Sequence, residues 1–85
     1  MKYNHKVVNR IKRLEGQLKG ILNMMEDEKE CKEVITQLSA VRSAIDRSIG
    51  IIVSENLVKS VTQEDTEENK HRIVQEAVDL LVKSR

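Results

Sequence analysis

The chain has 85 residues, 39% of them hydrophobic and 34% charged, with a formal net charge of +1. This size predicts a single domain over residues 1–85, too short to bury much of its surface alone, so association with further copies is an economical route to stability. No run of about 18 apolar residues and no signal-peptide pattern is present, which argues against a membrane partner and for a soluble, cytoplasmic protein.

Tyr3 is the only aromatic residue, there is no proline, and the three glycines stand at positions 16, 20 and 50. A core must therefore come from Val, Ile, Leu, Met and Ala, and the composition predicts an all-α fold. The near-neutral charge hides a segregation. Lys2, Lys6, Arg10, Lys12, Arg13 and Lys19 face only Glu15 within residues 1–20, whereas Glu26, Asp27, Glu28, Glu30 and Glu33 crowd residues 26–33.

A first helix is predicted over about 4–26. Val7, Ile11, Leu14, Leu18, Ile21 and Met25 recur at alternating spacings of four and three, the pattern of a coiled-coil seam. Gly16 and Gly20 interrupt it, and close approach of another helix is the simplest reason for them. The turn falls in Glu26 to Lys29, where Asp27 followed by Glu30 resembles a capping box that starts the second helix at Glu28.

The second helix is predicted over about 28–61, with Val34, Leu38, Val41, Ile45, Ser48 and Ile52 as its seam. Cys31 lies near its start, and Asn56 and Ser60 near its end. The 25 residues from Cys31 to Asn56 span roughly 38 Å of helix, so these ends meet only if two copies pack antiparallel. Such a pair crosses at Ser43 and Ala44, among the small residues Ser39, Ala40 and Ser48, which favours a two-fold axis there.

Residues from Thr62 to Asn69 are polar and acidic and read as a linker. Thr66, followed by Glu67 and Glu68, reads as the start of a third helix over about 66–83. Its wide apolar arc, Ile73, Val74, Ala77, Val78, Leu80, Leu81 and Val82, must dock on the first two helices or on another subunit.

No catalytic constellation or cofactor motif is visible, so the chain does not read as an enzyme. His5 and His71 read as solvated. A lone cysteine forms no intrachain disulfide and is ordinarily a small buried hydrophobe. At the start of a helix, beside Lys29 and Lys32, Cys31 is favoured as the thiolate, which Glu28, Glu30 and Glu33 oppose. Lys6, Arg10 and Arg13 lie at spacings of four and three on one side of the first helix, and Arg42 and Arg47 extend the patch from the second. Repeated by a two-fold oligomer, that patch matches duplex DNA. The rival reading is a structural helical oligomer with a solvated basic stripe and no nucleic-acid partner.

The run Asn9-Arg10-Ile11-Lys12-Arg13-Leu14-Glu15-Gly16-Gln17-Leu18-Lys19-Gly20-Ile21, then Cys31, then Gln37-Leu38-Ser39-Ala40-Val41, resembles the CsoR/RcnR/FrmR family of bacterial repressors. The resemblance implies a three-helix subunit, an antiparallel dimer built on the second helices as a four-helix bundle, a dimer-of-dimers homotetramer, and an operator in double-stranded DNA released by a chemical signal. Arg10 and Arg47 match positions linked to operator binding, and Glu76 a position linked to coupling. Cys31 of one subunit, with Asn56 and Ser60 of the other, matches the sensing site.

Copper sensors of the family place Cys, His and Cys there, so copper-type sensing would use a degenerate set here. The stretches Gly50-Ile51-Ile52-Val53-Ser54-Glu55-Asn56-Leu57 and Leu80-Leu81-Val82-Lys83-Ser84 are most similar to the persulfide-sensing, CstR-like branch, which implies reactive sulfur species as inducer. That branch has a second cysteine where this chain has Ser60. Ser60 is either a natural variant that senses with one thiol or a Cys→Ser change.

Overall fold

The polar stretch at the N-terminus starts the first helix. The Asn4 side chain accepts the Lys6 backbone N–H at 2.7 Å while its carbonyl accepts those of Val7 and Val8, which satisfies donors a helix start leaves free. In the computed structural model, which describes residues 2–64 and 66–84, this begins α1 (His5–Glu26), followed by α2 (Cys31–Thr62) and α3 (Glu67–Lys83). No strand occurs among the described residues. The all-α expectation holds.

The first turn departs from the expected capping box. Asp27 closes α1 instead of opening α2: its N–H donates to the carbonyls of Asn23 and Met25. Glu28 then adopts a left-handed conformation with φ 58°, its N–H donating to Met25 at 3.1 Å and that of Lys29 to Met24 at 3.0 Å. This paired 6→1 and 5→2 arrangement is a Schellman motif, and it uses up the residues through Lys29. Only Glu30 remains to start α2, its carbonyl accepting the N–H groups of Glu33 and Val34. The helix therefore begins at Cys31, three residues later than the sequence predicts.

The chain divides into two compact units at a boundary inside α2: Tyr3–Ser48, and Ile49 onward together with Lys2. In the first, Leu14 and Ile21 from α1 and Val34 and Val41 from α2 form a buried cluster, with Met24, Leu38 and Ala44 packed against it. The α1 seam splits. Val7, Leu14 and Ile21 are buried at 4–5% exposure, while Ile11, Leu18 and Met25 stand at 44–50%. Leu14 and Ile21 lie on the line of the helix that meets α2, and Ile11, Leu18 and Met25 lie on the adjacent line, left outside the cluster. The same holds on α2, where Val34, Val41 and Ser48 are buried and Ile45 is exposed.

The unit from Ile49 onward holds the rest of α2 and α3. Thr66 caps α3 as expected, its hydroxyl oxygen accepting the Asn69 N–H at 3.2 Å, with Glu67 and Glu68 favourably placed in the first turn. Asp65, in the expected linker, lies outside the described residues. Ala77 is buried and Ile73 half-buried, but Val74, Val78, Leu80, Leu81 and Val82 are exposed. Most of the wide apolar arc of α3 is thus left without cover by the chain itself.

The glycines face open space. A Cβ built at Gly16, Gly20 or Gly50 meets nothing within 4 Å, so within the chain no helix approaches Gly16 and Gly20 in the way expected for them.

Candidate nucleic-acid interface and thiol site

The basic side chains proposed for DNA lie in the unit Tyr3–Ser48. Lys6 and Arg13 are exposed on α1 and Arg10 is half-buried; Arg42 and Arg47 are exposed on α2. At 3.6 residues per turn, Lys6, Arg10 and Arg13 fall within about 60° of one another around α1. Arg42 and Arg47, five residues apart, fall about 140° apart around α2, so one face of that helix presents only one of them. Among the described residues the single ion pair is Lys70 with Glu67 at 3.8 Å. Among the described residues no carboxylate pairs with Lys6, Arg10, Arg13, Arg42 or Arg47, which leaves their charge to attract an outside anion.

Cys31 occupies the first helical position of α2 and is an exposed, free thiol. The subunit therefore does not bury it as a small hydrophobe. Glu33 shares its turn, and the neighbouring backbone donors of Glu33 and Val34 are taken by Glu30. Asn56 is exposed in the other unit. Ser60 is half-buried and, with Gln63, Glu64 and Ile73, lines an open hollow of about 350 Å³ at the end of α2 and start of α3. Glu76 is exposed on α3 and borders a second shallow hollow with Asp79, Leu80 and Lys83.

Two of the small residues of α2 pack inside the subunit. Ala44 packs against the buried cluster shared with α1. Ser48 is buried too, its hydroxyl donating to the Ala44 carbonyl at 2.9 Å. Ser39, Ala40 and Ser43 are exposed. The α2 positions Ile35 and Ile45 are the large apolar side chains of this unit left uncovered on that helix.

Among the described residues, no helix is long and apolar enough to cross a membrane, and no group of three or more His, Cys, Asp or Glu side chains is placed to hold a metal ion.

Comparison with known proteins supplies the context for these features. A family model described as metal-sensitive transcriptional repressor matches residues 3–83. The chain is 56% identical over 63 residues to the uncharacterized protein YrkD of Bacillus subtilis, covering 73% of this chain and all of that one. It is 46% identical over 55 residues to the copper-sensing transcriptional repressor RicR of Mycobacterium tuberculosis, covering 64% of this chain and 56% of RicR. With the copper-sensing transcriptional repressor CsoR of Bacillus subtilis the identity is 43% over 44 residues, covering 52% of this chain and 44% of CsoR. The chain thus spans about half the length of these two copper-sensing relatives.

Among solved structures, the nickel-responsive transcriptional regulator InrS superposes with a TM-score of 0.78 at 30% identity, covering 96% of this chain and 92% of that one. RicR, CsoR and InrS are regulators of transcription, in keeping with the expectation that the chain is not an enzyme. The three-helix architecture, the match across residues 3–83 and the relatives agree, and the chain belongs to the family of metal-sensitive transcriptional repressors.

Proposed function

We propose that the chain is a DNA-binding repressor that acts as a homo-oligomer and leaves its operator when Cys31 is modified. The observation that carries this is the unneutralised basic surface of Lys6, Arg10 and Arg13 on α1 in a chain of a repressor family. Duplex DNA is the partner such a surface fits, because displaced counterions give phosphate contacts their free energy. The uncovered seam of Ile11, Leu18 and Met25, with Ile35 and Ile45, is the surface a second copy would cover. In the antiparallel dimer, and a homotetramer built from two of them, Cys31 would lie beside the partner subunit's Asn56 and the partner subunit's Ser60. Helical periodicity favours this: 25 residues fall within about 20° of whole turns, so Cys31 and Asn56 belong to one side of the helix.

The chemistry of this site favours a reactive sulfur species as signal. The Cys31 thiolate attacks the sulfane sulfur of a hydropersulfide, the other sulfur leaves as a thiol, and Cys31 becomes a persulfide. Ser60 offers a hydroxyl rather than a thiol, so the site stops at a one-thiol adduct instead of closing a disulfide between subunits. Copper sensing is the second reading, favoured by the copper-sensing names of two relatives. The donor set fits it poorly, since Cys31 is the only soft ligand and an amide and a hydroxyl bind Cu(I) weakly.

Anisotropy with a labelled duplex from the promoter upstream of the gene, at several salt concentrations, tests the repressor reading. Arg10→Ala and Arg13→Ala should each lower affinity and reduce the salt slope by about one. Affinity unchanged in both variants overturns the proposed face. Adding polysulfide or Cu(I) to the complex separates the two signals: release by polysulfide in the wild type but not in Cys31→Ala supports thiol sensing, and release by Cu(I) alone supports the metal reading.

A further inference from the structure

We infer that α1 carries a second line of phosphate contacts, Lys12 and Lys19, and lies along a groove of duplex DNA with one strand on each flank. This rests on the function proposed above and extends the contact surface to a side of the helix that Lys6, Arg10 and Arg13 do not reach. At 3.6 residues per turn, Lys12 and Lys19 fall within about 20° of each other, about 10 Å apart along the axis. They stand about 140° around the helix from the centre of the Lys6, Arg10 and Arg13 face. Both are exposed, and with Glu15, Gly16, Leu18 and Leu22 they line an open hollow of about 510 Å³. Glu15 precedes Lys19 by one helical turn, the favoured order and spacing for an ion pair along a helix. Among the described residues, however, neither lysine pairs with a carboxylate.

The surface between the two basic lines indicates the partner. It holds His5, Asn9, Gly16, Gly20 and Asn23, all exposed and none apolar or acidic. Glycine is among the least favourable residues inside a helix. A Cβ at Gly16 or Gly20 meets nothing within 4 Å, so no contact inside the chain calls for either. A partner that comes close to the bare backbone does call for them. A second copy fits poorly here, because the apolar seam of Ile11, Leu18 and Met25 is centred about 180° around α1 from this surface. Cations on both borders with no acid between them select a polyanion. A helix about 10–12 Å across, narrowed at two glycines, fits a major groove about 12 Å wide. Each border then meets one phosphate strand, and Asn9, between them, faces the base edges, where an asparagine recognises adenine.

Anisotropy with the labelled promoter duplex and with an unrelated duplex tests this on the full chain. Lys12→Ala and Lys19→Ala should each weaken binding to both duplexes alike and reduce the salt slope by about one. Lys83→Ala, the same loss of charge on α3, should leave the slope as it is. Asn9→Ala should weaken the promoter complex more than the unrelated one. Gly16→Gln, which sets a long side chain between the two lines, should weaken binding while the melting temperature rises, because glutamine is the better helix former. That opposition separates a blocked surface from a damaged fold. In the wild-type complex, guanine N7, which lies in the major groove, should be protected from dimethyl sulfate. Slopes unchanged in Lys12→Ala and Lys19→Ala, while Arg10→Ala and Arg13→Ala lower theirs, overturn the second line and leave the repressor reading standing. Guanine N7 that reacts freely, or Gly16→Gln that binds as tightly as the wild type, overturns the groove. A wild-type chain that binds neither duplex at low salt overturns the repressor reading and the second line with it.

Discussion

Replacing Gly16 and Gly20 by alanine measures directly what the open space beside α1 means. Both glycines lie well inside the 22-residue helix His5–Glu26, where Gly costs about 1 kcal/mol relative to Ala. Neither has a neighbour within 4 Å of the added methyl, so no clash offsets the gain. The double variant should be about 2 kcal/mol more stable, at about 4–8 °C of melting temperature per kcal/mol for a domain of this length. Urea denaturation followed by circular dichroism at 222 nm, at several protein concentrations, gives the comparison. The gain should appear at low concentration and persist as concentration rises. A variant that is less stable, or that loses stability only at high concentration, would refute the reasoning by showing that a second copy presses against these positions.

Glu28→Gly should raise stability by about 1 kcal/mol, because Glu28 holds a left-handed backbone at φ 58° that costs an L-residue roughly 1–2 kcal/mol and a glycine little; an unchanged urea midpoint would contradict this. Leu14→Ala should cost about 2–5 kcal/mol, since Leu14 is buried in the cluster shared by α1 and α2. Leu18→Ala, at an exposed position of the same seam, should leave dilute protein nearly unchanged and weaken self-association in sedimentation equilibrium. Thr66→Ala removes the acceptor of the Asn69 N–H and should cost about 1 kcal/mol, seen as faster hydrogen exchange in the first turn of α3.

Much of the fold was legible because its signals are local. Asn4 and Thr66 announce helix starts by chemistry that acts within three residues, and the structure uses both as caps. The first turn was misread for the same reason. Asp27 is a good N-cap by its chemistry, and nothing in its immediate neighbours says that α1 would instead close over it by a Schellman motif built on a glutamate. The heptad seam of α1 was also visible, but which half of it faces α2 depends on a partner helix and not on spacing. At the candidate site, the sequence weighed a sensing thiol against a buried structural cysteine at Cys31, and the turn leaves it exposed at the very first helical position. The basic residues on α1 were legible from the sequence alone; that no carboxylate among the described residues pairs with them is a matter of three-dimensional placement.

The split seam of α1 has a consequence for how relatives of this chain diverge. Val7, Leu14 and Ile21 are committed to the interior of the subunit, while Ile11, Leu18 and Met25 remain on its surface. Substitutions in the second set change what the helix meets outside the chain without disturbing the buried cluster within it. In the oligomer proposed above, two paralogues in one cell would keep the same interior and still avoid forming mixed assemblies by varying the three outward positions alone.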